Sequence, residues 1–346
     1  MVLISRLYII LGNGFSIDAM NRLGLNDQID LRNLFSKGAQ VPWPGSDSNG
    51  FLSYKHCRAL WTLGARTTMS TEQSNKLIED IITCANVYNY SRQNNLDIKE
   101  QSSIKDNLYI EAYGELTTYL RYLIIYYDSI IGQKDLSKVQ IPLINYIKRS
   151  LEKYDEIVII NYNYDIIFER LLTAHDLDFN IEGFENQEDS KIRILKPHGS
   201  ISFSFKVKIS GPFSIRNSGF DEISQETSNF DIKYDFKYDF PIVNAIIPPA
   251  GDSNRFQMGW IKTLRNIIND KLSMSESKDK LIICGISYWH VDRVEIDEIL
   301  TKFNPKIDAI LINPNPPTCL DAVLTSIYQN YIHYENSDLL EGSSCE

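Results

Sequence analysis

A glycine-rich turn near the start of the sequence has the residue types of a phosphate-binding site. The segment Gly12-Asn13-Gly14-Phe15-Ser16 directly follows the apolar run Leu7–Leu11. Glycines let a backbone approach a diphosphate closely, and the amides that begin the next helix favour negative charge. Ile17 stands where the dinucleotide fingerprint G-x-G-x-x-G has its last glycine. The segment therefore predicts either a phosphate cradle or an ordinary strand-to-helix turn.

A second polar group follows the apolar run Glu156–Ile160. Asn161, Asn163 and Asp165 lie within five residues of one another and offer amide and carboxylate groups. Polar residues in such a place often form turns and helix caps, and Asp165 is suited to cap the helix that follows. The alternative is that Asn163 and Asp165 present their side chains to a ligand.

A histidine with constrained neighbours is the best candidate for proton transfer. His198 lies in the segment Lys196-Pro197-His198-Gly199-Ser200, where proline stiffens the backbone and glycine allows a tight turn. An unperturbed imidazole titrates near neutral pH, which suits a general base. The other four histidines lack this setting and are expected to have no catalytic role: His56, His175, His290 and His333.

Two further turns follow apolar runs near the end of the chain. Leu281–Cys284 leads into Gly285-Ile286-Ser287, and Ile310–Ile312 leads into Asn313-Pro314-Asn315-Pro316. Each segment alone is compatible with a simple turn. Several strand ends that carry Gly, Asn or His together favour a ligand site.

The elements that must position these residues follow from the hydrophobic periodicity. Strands are predicted at Leu7–Leu11, Glu156–Ile160, Ile192–Leu195, Ile201–Val207, Ile242–Ile247, Leu281–Cys284 and Ile307–Ile312. One helix is predicted to begin near Phe15, and another follows Asp165 and ends at Leu172. Three more helices are predicted at Phe256–Lys271, Val291–Phe303 and Cys319–Tyr328. Alternating strands and helices predict an α/β fold with a parallel sheet and flanking helices, whose carboxyl edge carries the site.

A mainly helical block interrupts this alternation. Leu108, Ala112, Leu116, Leu120 and Ile124 repeat every four residues, as on one face of a helix. We therefore expect residues 51–153 to form a helical insertion after the first βα unit, between a first part (1–50) and the remainder (154–335) of an α/β domain. Residues 336–346 are expected to be a flexible tail.

Composition narrows the class of protein. With 45 acidic and 35 basic residues among 346, the net charge of -10 argues against nucleic-acid binding. The apolar stretch 116–131 carries Arg121 and Asp128 and is shorter than the roughly 20 residues of a membrane span. Five widely spaced cysteines without a C-x-x-C pair fit a reducing cytoplasm and exclude a four-cysteine zinc site. A cytoplasmic protein without a metal is expected.

Taken in order, the motifs resemble those of the sirtuin superfamily. They are more closely similar to the bacterial sirtuin-like branch of anti-phage defence, whose members degrade NAD. The resemblance is carried by Gly12–Ser16, Asn163-Tyr164-Asp165, Lys196-Pro197-His198-Gly199, Gly285-Ile286-Ser287 and Asn313-Pro314-Asn315-Pro316.

The resemblance implies a Rossmann-like NAD fold and a role for each motif. Gly12, Asn13, Gly14, Phe15 and Ser16 would hold the pyrophosphate. Asn163 would bind the nicotinamide ribose and a water, Asp165 would face the carboxamide, and His198 would be the general base. The adenosine half would contact Gly285, Ser287 and Asn313.

The chain departs from the deacetylase pattern in several places, of which the spacing and the missing zinc ribbon favour the NAD-degrading branch. Asn13 replaces the usual alanine, and Tyr162 stands where deacetylases carry glutamine. The spacing from Asn163 to His198 (198 - 163 = 35 residues) is longer than in deacetylases. No zinc ribbon that would complete a peptide cleft is recognisable.

These features lead to the expectation of an NAD+ glycohydrolase that acts as the effector of abortive infection. Unchecked NAD cleavage would kill the host, so we expect control by homo-oligomerisation, by a regulatory or sensor protein encoded nearby such as a translocase-type ATPase, or by a nucleotide signal. The helical insertion is expected to mediate assembly or to cover the cleft as a lid. Alternatives are a catalytically silent nucleotide-binding subunit, and less favoured, a protein deacylase or ADP-ribosyltransferase.

Overall fold

The structure, a computed structural model, describes residues 4–46, 48–93, 104–184, 190–215, 225–248, 259–288 and 293–342. Contacts divide the chain into two compact units. The first comprises Met1–Asn26, Gly132–Pro197 and Lys262–Glu346, and the second comprises Asp27–Ile131 and His198–Ile261. These units are defined by contacts alone, and the domain boundaries expected from the sequence stay a prediction.

The described elements are ten strands and ten α-helices. The strands are β1 Arg6–Leu11, β2 Glu156–Asn161, β3 Phe179–Ile181, β4 Ile192–Leu195, β5 Gly199–Phe205, β6 Phe230–Ile232, β7 Asn244–Ile246, β8 Lys280–Cys284, β9 Asp308–Ile312 and β10 Asn330–Tyr334. The helices are α1 Asn13–Leu23, α2 Arg58–Thr62, α3 Thr71–Gln93, α4 Ile104–Ile131, α5 Pro142–Ser150, α6 Ile167–Ala174, α7 Gly259–Ser273, α8 Arg293–Leu300, α9 Thr318–Ile327 and α10 Leu339–Gly342.

The first unit is built on a seven-stranded sheet, which confirms the predicted α/β fold. Its strand order is β10-β9-β8-β1-β2-β4-β3, and every neighbouring pair is parallel. All residues of β1 are buried, as expected for a strand covered on both faces. Among the flanking helices, α1 contacts α6 and α5 contacts α10. The sheet is Rossmann-like.

The order of the strands reverses direction between β1 and β8. Strands β2, β4 and β3 lie in that order on one side of β1, and β8, β9 and β10 lie on the other side. In open α/β sheets, ligands bind outside the carboxyl ends of the strands at such a switch point. The segments that follow β1 and β8 are therefore the place to look for a site.

The second unit combines helices with a small antiparallel sheet. Helices α2 and α3 contact α4, which also contacts β5 and β7. Most of α4 from Ala112 onward is buried, including the fully buried Arg121. Arg121 donates to the backbone oxygen of Ile201 at 2.8 Å and to the Asp239 carboxylate at 3.1 Å. The apolar stretch of α4 is thus the centre of this unit, and no described helix has the length and apolar composition to cross a membrane.

Two predicted strands do not join the parallel sheet. The strands predicted at Ile201–Val207 and Ile242–Ile247 correspond to β5 and β7, which pair antiparallel in the sheet β6-β5-β7. A parallel neighbour needs a crossover connection of a dozen residues or more. Only residues 196–198 separate β4 from β5, so β5 cannot return parallel to β4.

Three short strands and the C-terminal helix were not predicted. The residues of β10 are partly or fully exposed, and β3 and β6 have three residues each, so none shows a clear apolar run. The tail was expected to be flexible from residue 336, yet α10 lies within it and Leu340 is fully buried. Some sequence predictions fall outside the described residues. They concern the helix starts predicted at Phe256 and Val291, His290, and residues 343–346 of the tail.

Candidate functional site

Three glycines allow the backbone after β1 to pack closely against the backbone after β8 at the switch point. The amide of Gly12 donates to the Cys284 oxygen and that of Gly14 to the Gly285 oxygen, both at 2.9 Å. A Cβ on Gly12 or Gly14 would lie 2.6 Å from an atom of Gly285, and Gly285 itself has a φ of +70°. The glycines are therefore needed for a close approach of two backbones.

Some of the backbone amides that were predicted to bind phosphate already donate hydrogen bonds within the protein. Besides the amides of Gly12 and Gly14, the amide of Phe15 donates to the Gly12 oxygen at 3.0 Å. The ring of Phe15 packs edge-on against Phe168 of α6, with ring centroids 5.5 Å apart. A diphosphate at this turn would have to meet other donors of the first turn of α1 or displace these bonds. Asn13, the first residue of that helix, is exposed.

Ser16, Asn163 and Asp165 form one hydrogen-bonded cluster at the carboxyl edge of β1 and β2. The Asn163 Nδ2 group donates to the Gly12 oxygen and to Ser16 Oγ, both at 3.0 Å. Ser16 Oγ in turn donates to Asp165 Oδ2 at 2.8 Å. All three side chains belong to buried residues. The sequence motifs at residues 12–16 and 161–165 are thus joined in space.

The bonds of Asn163 fix which of its atoms is available. Both hydrogens of Nδ2 are used, whereas Oδ1 accepts no hydrogen bond from any residue that the structure describes. The backbone amide of Asn163 donates to Asn161 Oδ1 at 3.0 Å, which holds the turn. Asn163 is therefore oriented as a hydrogen-bond acceptor.

Both carboxylate oxygens of Asp165 have partners in the protein. Oδ2 accepts from Ser16, and Oδ1 accepts from the amide of Ile167, the first residue of α6, at 3.0 Å. The predicted N-cap role of Asp165 is wrong, because Ile166 is the N-cap of α6 and Asp165 lies one residue earlier, where its side chain bonds the amide two residues on. Its carboxylate anchors α1 and the start of α6 to one turn.

A fully buried ion pair contacts this cluster through the backbone of Asp165, and its two residues are not among the predicted site residues. Lys196 Nζ donates to Glu169 Oε1 and to the backbone oxygen of Asp165, both at 2.6 Å. Burial raises the pKa of Glu169, against the opposing attraction of Lys196. Asn161, whose Oδ1 accepts from the Asn163 amide, is also not among the predicted site residues. The available signal was the position of Lys196 in the K-P-H-G motif, but its partner Glu169 is 27 residues away.

His198 belongs to the second unit and occupies the turn between β4 and β5. Its backbone oxygen accepts from the Ile247 amide at 2.9 Å, and the residue is buried. Gly199 has a φ of +87°, and a Cβ there would lie 1.9 Å from the Ala245 oxygen. The expected constraint on this loop is confirmed. The convergence of His198 with Asn163 on one ligand stays a prediction.

The two late motifs also meet. Asn313 Nδ2 donates to the Ile286 oxygen at 3.1 Å, and the Asn313 backbone oxygen lies 2.8 Å from His333 Nε2. Asn313 thus ties the end of β9 to the segment after β8, where Ser287 is exposed. Burial raises the pKa of the Cys284 thiol to about 12, so the neighbouring cysteine remains protonated near neutral pH and is a poor nucleophile.

Neither a metal site nor a match to known proteins assigns a function to this site. Among the described residues, no group of three or more His, Cys, Asp or Glu side chains is arranged to hold a metal ion. No protein-family model and no curated protein sequence matches the chain. The resemblance to sirtuin-like proteins therefore remains an inference from the motifs.

Proposed function

We propose that this chain is a sirtuin-like NAD+ glycohydrolase that cleaves NAD to nicotinamide and ADP-ribose. The observation that carries the proposal is the orientation of Asn163 beside the switch point of a parallel sheet. Its Nδ2 group is held by Gly12 and Ser16, which leaves the Oδ1 acceptor for a ribose hydroxyl or a water. Such fixed polar groups orient a substrate without reorganisation during the reaction.

The proposed chemistry needs an oriented ribose, one water and a base. Breaking the bond between nicotinamide and ribose passes through an oxocarbenium-like state, as in glycoside cleavage. Asn163 Oδ1 would accept a hydrogen bond from the ribose hydroxyl or the attacking water. His198 would take the proton of that water as its oxygen bonds to the anomeric carbon and nicotinamide departs as a neutral molecule.

The biological role follows from the resemblance. We propose an effector of bacterial anti-phage defence whose NAD cleavage aborts infection. Control would come from homo-oligomerisation, from a sensor protein encoded nearby, or from a nucleotide signal, because uncontrolled NAD loss is lethal. The net charge of -10 is no obstacle, since backbone amides can bind phosphates without a basic patch.

The direct test follows free nicotinamide after purified full-length protein is mixed with NAD. We expect Asn163→Ala and His198→Ala to lower turnover by roughly a hundredfold or more. The matched controls are Asn21→Ala, at an exposed position on α1, and His175→Ala, and both should keep wild-type turnover. Activity that survives His198→Ala refutes the proposed base.

A catalytically silent nucleotide-binding subunit is the second candidate. The observation that favours it is the engagement of both Asp165 oxygens by Ser16 and Ile167, which is what a purely structural carboxylate would show. This candidate predicts that NAD raises the unfolding temperature of the protein while no nicotinamide is released.

A further inference from the structure

The Lys196–Glu169 pair contacts the turn that carries Asn163 and Asp165 in the proposed site. Lys196 directly follows β4 and stands two residues before His198 in the chain. Its ammonium group contacts the backbone oxygen of Asp165, whose carboxylate holds Ser16. The ammonium group of Lys196 thus contacts the main chain of the turn 161–165.

Stability alone is a poor explanation for this pair. The side chains of Lys196 and Glu169 are 0% and 1% exposed, so both charges have lost their hydration. Buried ion pairs can often be replaced by hydrocarbon of similar volume without loss of stability. Glu169 Oε2 also has no hydrogen-bond partner among the described residues, so the carboxylate is incompletely satisfied.

The geometry indicates what the pair does instead. The turn 161–165 is held by the bonds of Asn163 to Asn161 and of Asp165 to Ile167. The Lys196 ammonium adds a bond to the main chain of that turn, and Glu169 neutralises the ammonium and fixes its place. A hydrocarbon side chain at position 196 could fill the space but could not hold the Asp165 oxygen.

We propose that Lys196 and Glu169 are positioning residues that hold the turn 161–165 in the conformation that orients Asn163. They touch no substrate in this proposal. The activity readout of the inference rests on the proposed function, whereas its structural readout does not. The structural readout is hydrogen exchange, because the Asn163 amide bonds to Asn161 within the turn and the Ile167 amide bonds to Asp165 at its end.

The decisive variant is the double substitution Lys196→Met with Glu169→Leu in the full-length chain. We expect its thermal unfolding midpoint to lie close to that of the wild type, since hydrocarbon replaces both charges. Exchange in a peptide spanning residues 161–169 should become at least tenfold faster, with exchange over 156–160 unchanged. Turnover (kcat) should fall tenfold or more, with a smaller change in KM.

A second variant separates the effect of the ion pair from the effect of the bond to the turn. Glu169→Gln keeps an acceptor for Lys196 and leaves the bond from Lys196 to the Asp165 oxygen possible. We expect exchange of the turn to stay within about threefold of wild type in Glu169→Gln, but to rise at least tenfold in Lys196→Met. Equal effects of these two substitutions on the turn would overturn the inference.

The control is a second lysine–glutamate ion pair, which lies at the amino ends of the parallel strands. Lys271 Nζ lies 2.6 Å from Glu156 Oε1, with side chains 12% and 17% exposed. Lys271→Met should lower the unfolding midpoint and leave both turn exchange and kcat unchanged. Wild-type exchange and kcat in the double variant would show that the pair is only structural. If the wild type releases no nicotinamide, the proposed function fails and turn exchange alone decides this inference.

Discussion

At the scale of residues, the cluster of Ser16, Asn163 and Asp165 explains how an asparagine side chain can be oriented so that its oxygen is available as an acceptor. An amide side chain can rotate to present either its oxygen or its nitrogen. Two acceptors, the Gly12 oxygen and Ser16 Oγ, are placed to take the Nδ2 hydrogens of Asn163. The Ser16 hydroxyl can accept from Asn163 because its own proton goes to Asp165.

Removal of the Ser16 hydroxyl should therefore affect function more than folding. Ser16→Ala leaves Asn163 with one of its two acceptors and Asp165 without one donor. We expect the free energy of unfolding to fall by about 1–2 kcal/mol and nicotinamide release to fall about tenfold or more. Chemical denaturation and the release assay measure the two effects.

The control is a helical serine away from the cluster. Ser326 is exposed and donates to the Ala322 oxygen at 2.6 Å, so Ser326→Ala should change neither quantity appreciably. Equal turnover in Ser16→Ala and wild type would contradict the proposed orientation of Asn163.

Two glycines with the same backbone conformation separate the effect of strain from the effect of close packing. Gly24 and Gly285 have φ values of +66° and +70°, but an added Cβ meets nothing within 4 Å at Gly24 and lies 2.4 Å from the Phe15 nitrogen at Gly285. Gly24→Ala should cost about 1–2 kcal/mol of stability from backbone strain. Gly285→Ala should cost clearly more, because it also forces the switch point apart. Equal losses in denaturant titrations would contradict the close approach of β1 and β8.

At the scale of elements, the charged side chains at the amino ends of the strands predict how the stability of the fold depends on pH. Burial acts to raise the pKa of Glu156, but hydrogen bonds and attraction from Lys271 and Arg6 outweigh burial and lower it. A lowered carboxyl pKa stabilises the fold at pH values above the unfolded pKa of about 4.3, and this contribution is lost as the pH falls through the folded value.

The substitution Glu156→Gln isolates that contribution. We expect it to lower the free energy of unfolding by about 1–3 kcal/mol near neutral pH, since it removes the carboxylate that pairs with Arg6, Arg193 and Lys271. The difference from wild type should shrink when denaturant titrations are repeated at pH values below about 4. A difference that is constant with pH would show that the charge of Glu156 is not responsible.

The elements also show what the sequence can and cannot reveal. Apolar runs predicted β1, β2 and β8, because strands buried on both faces have no polar alternation. The same runs could not tell that β5 and β7 pair with each other, since periodicity carries no information about partners. The exposed edge strand β10 left no signal at all.

The candidate site was predictable in part for the same reason. Strand ends pointed to Gly12, Asn163 and His198, because the carboxyl edge of a parallel sheet collects such residues. The sequence did not reveal that the glycine amides bond to the end of β8, nor that Lys196 pairs with Glu169. Both contacts join residues far apart in the chain, and no local pattern encodes them.

At the scale of the whole molecule, the proposed lethal activity requires a brake, and we expect the brake to involve self-association. The chain of 346 residues has a mass of 39.9 kDa. Native mass spectrometry should therefore show multiples of this mass at micromolar concentration. A monomer alone would contradict control by homo-oligomerisation and leave a separate partner or a nucleotide signal as the proposed regulator.

The central claim is tested most directly by product analysis after the full-length protein is incubated with NAD. Mass spectrometry should find nicotinamide and ADP-ribose in equal amounts, formed by the wild type and not by Asn163→Ala. NAD that stabilises the protein but stays intact would contradict the enzymatic account and support the silent nucleotide-binding subunit.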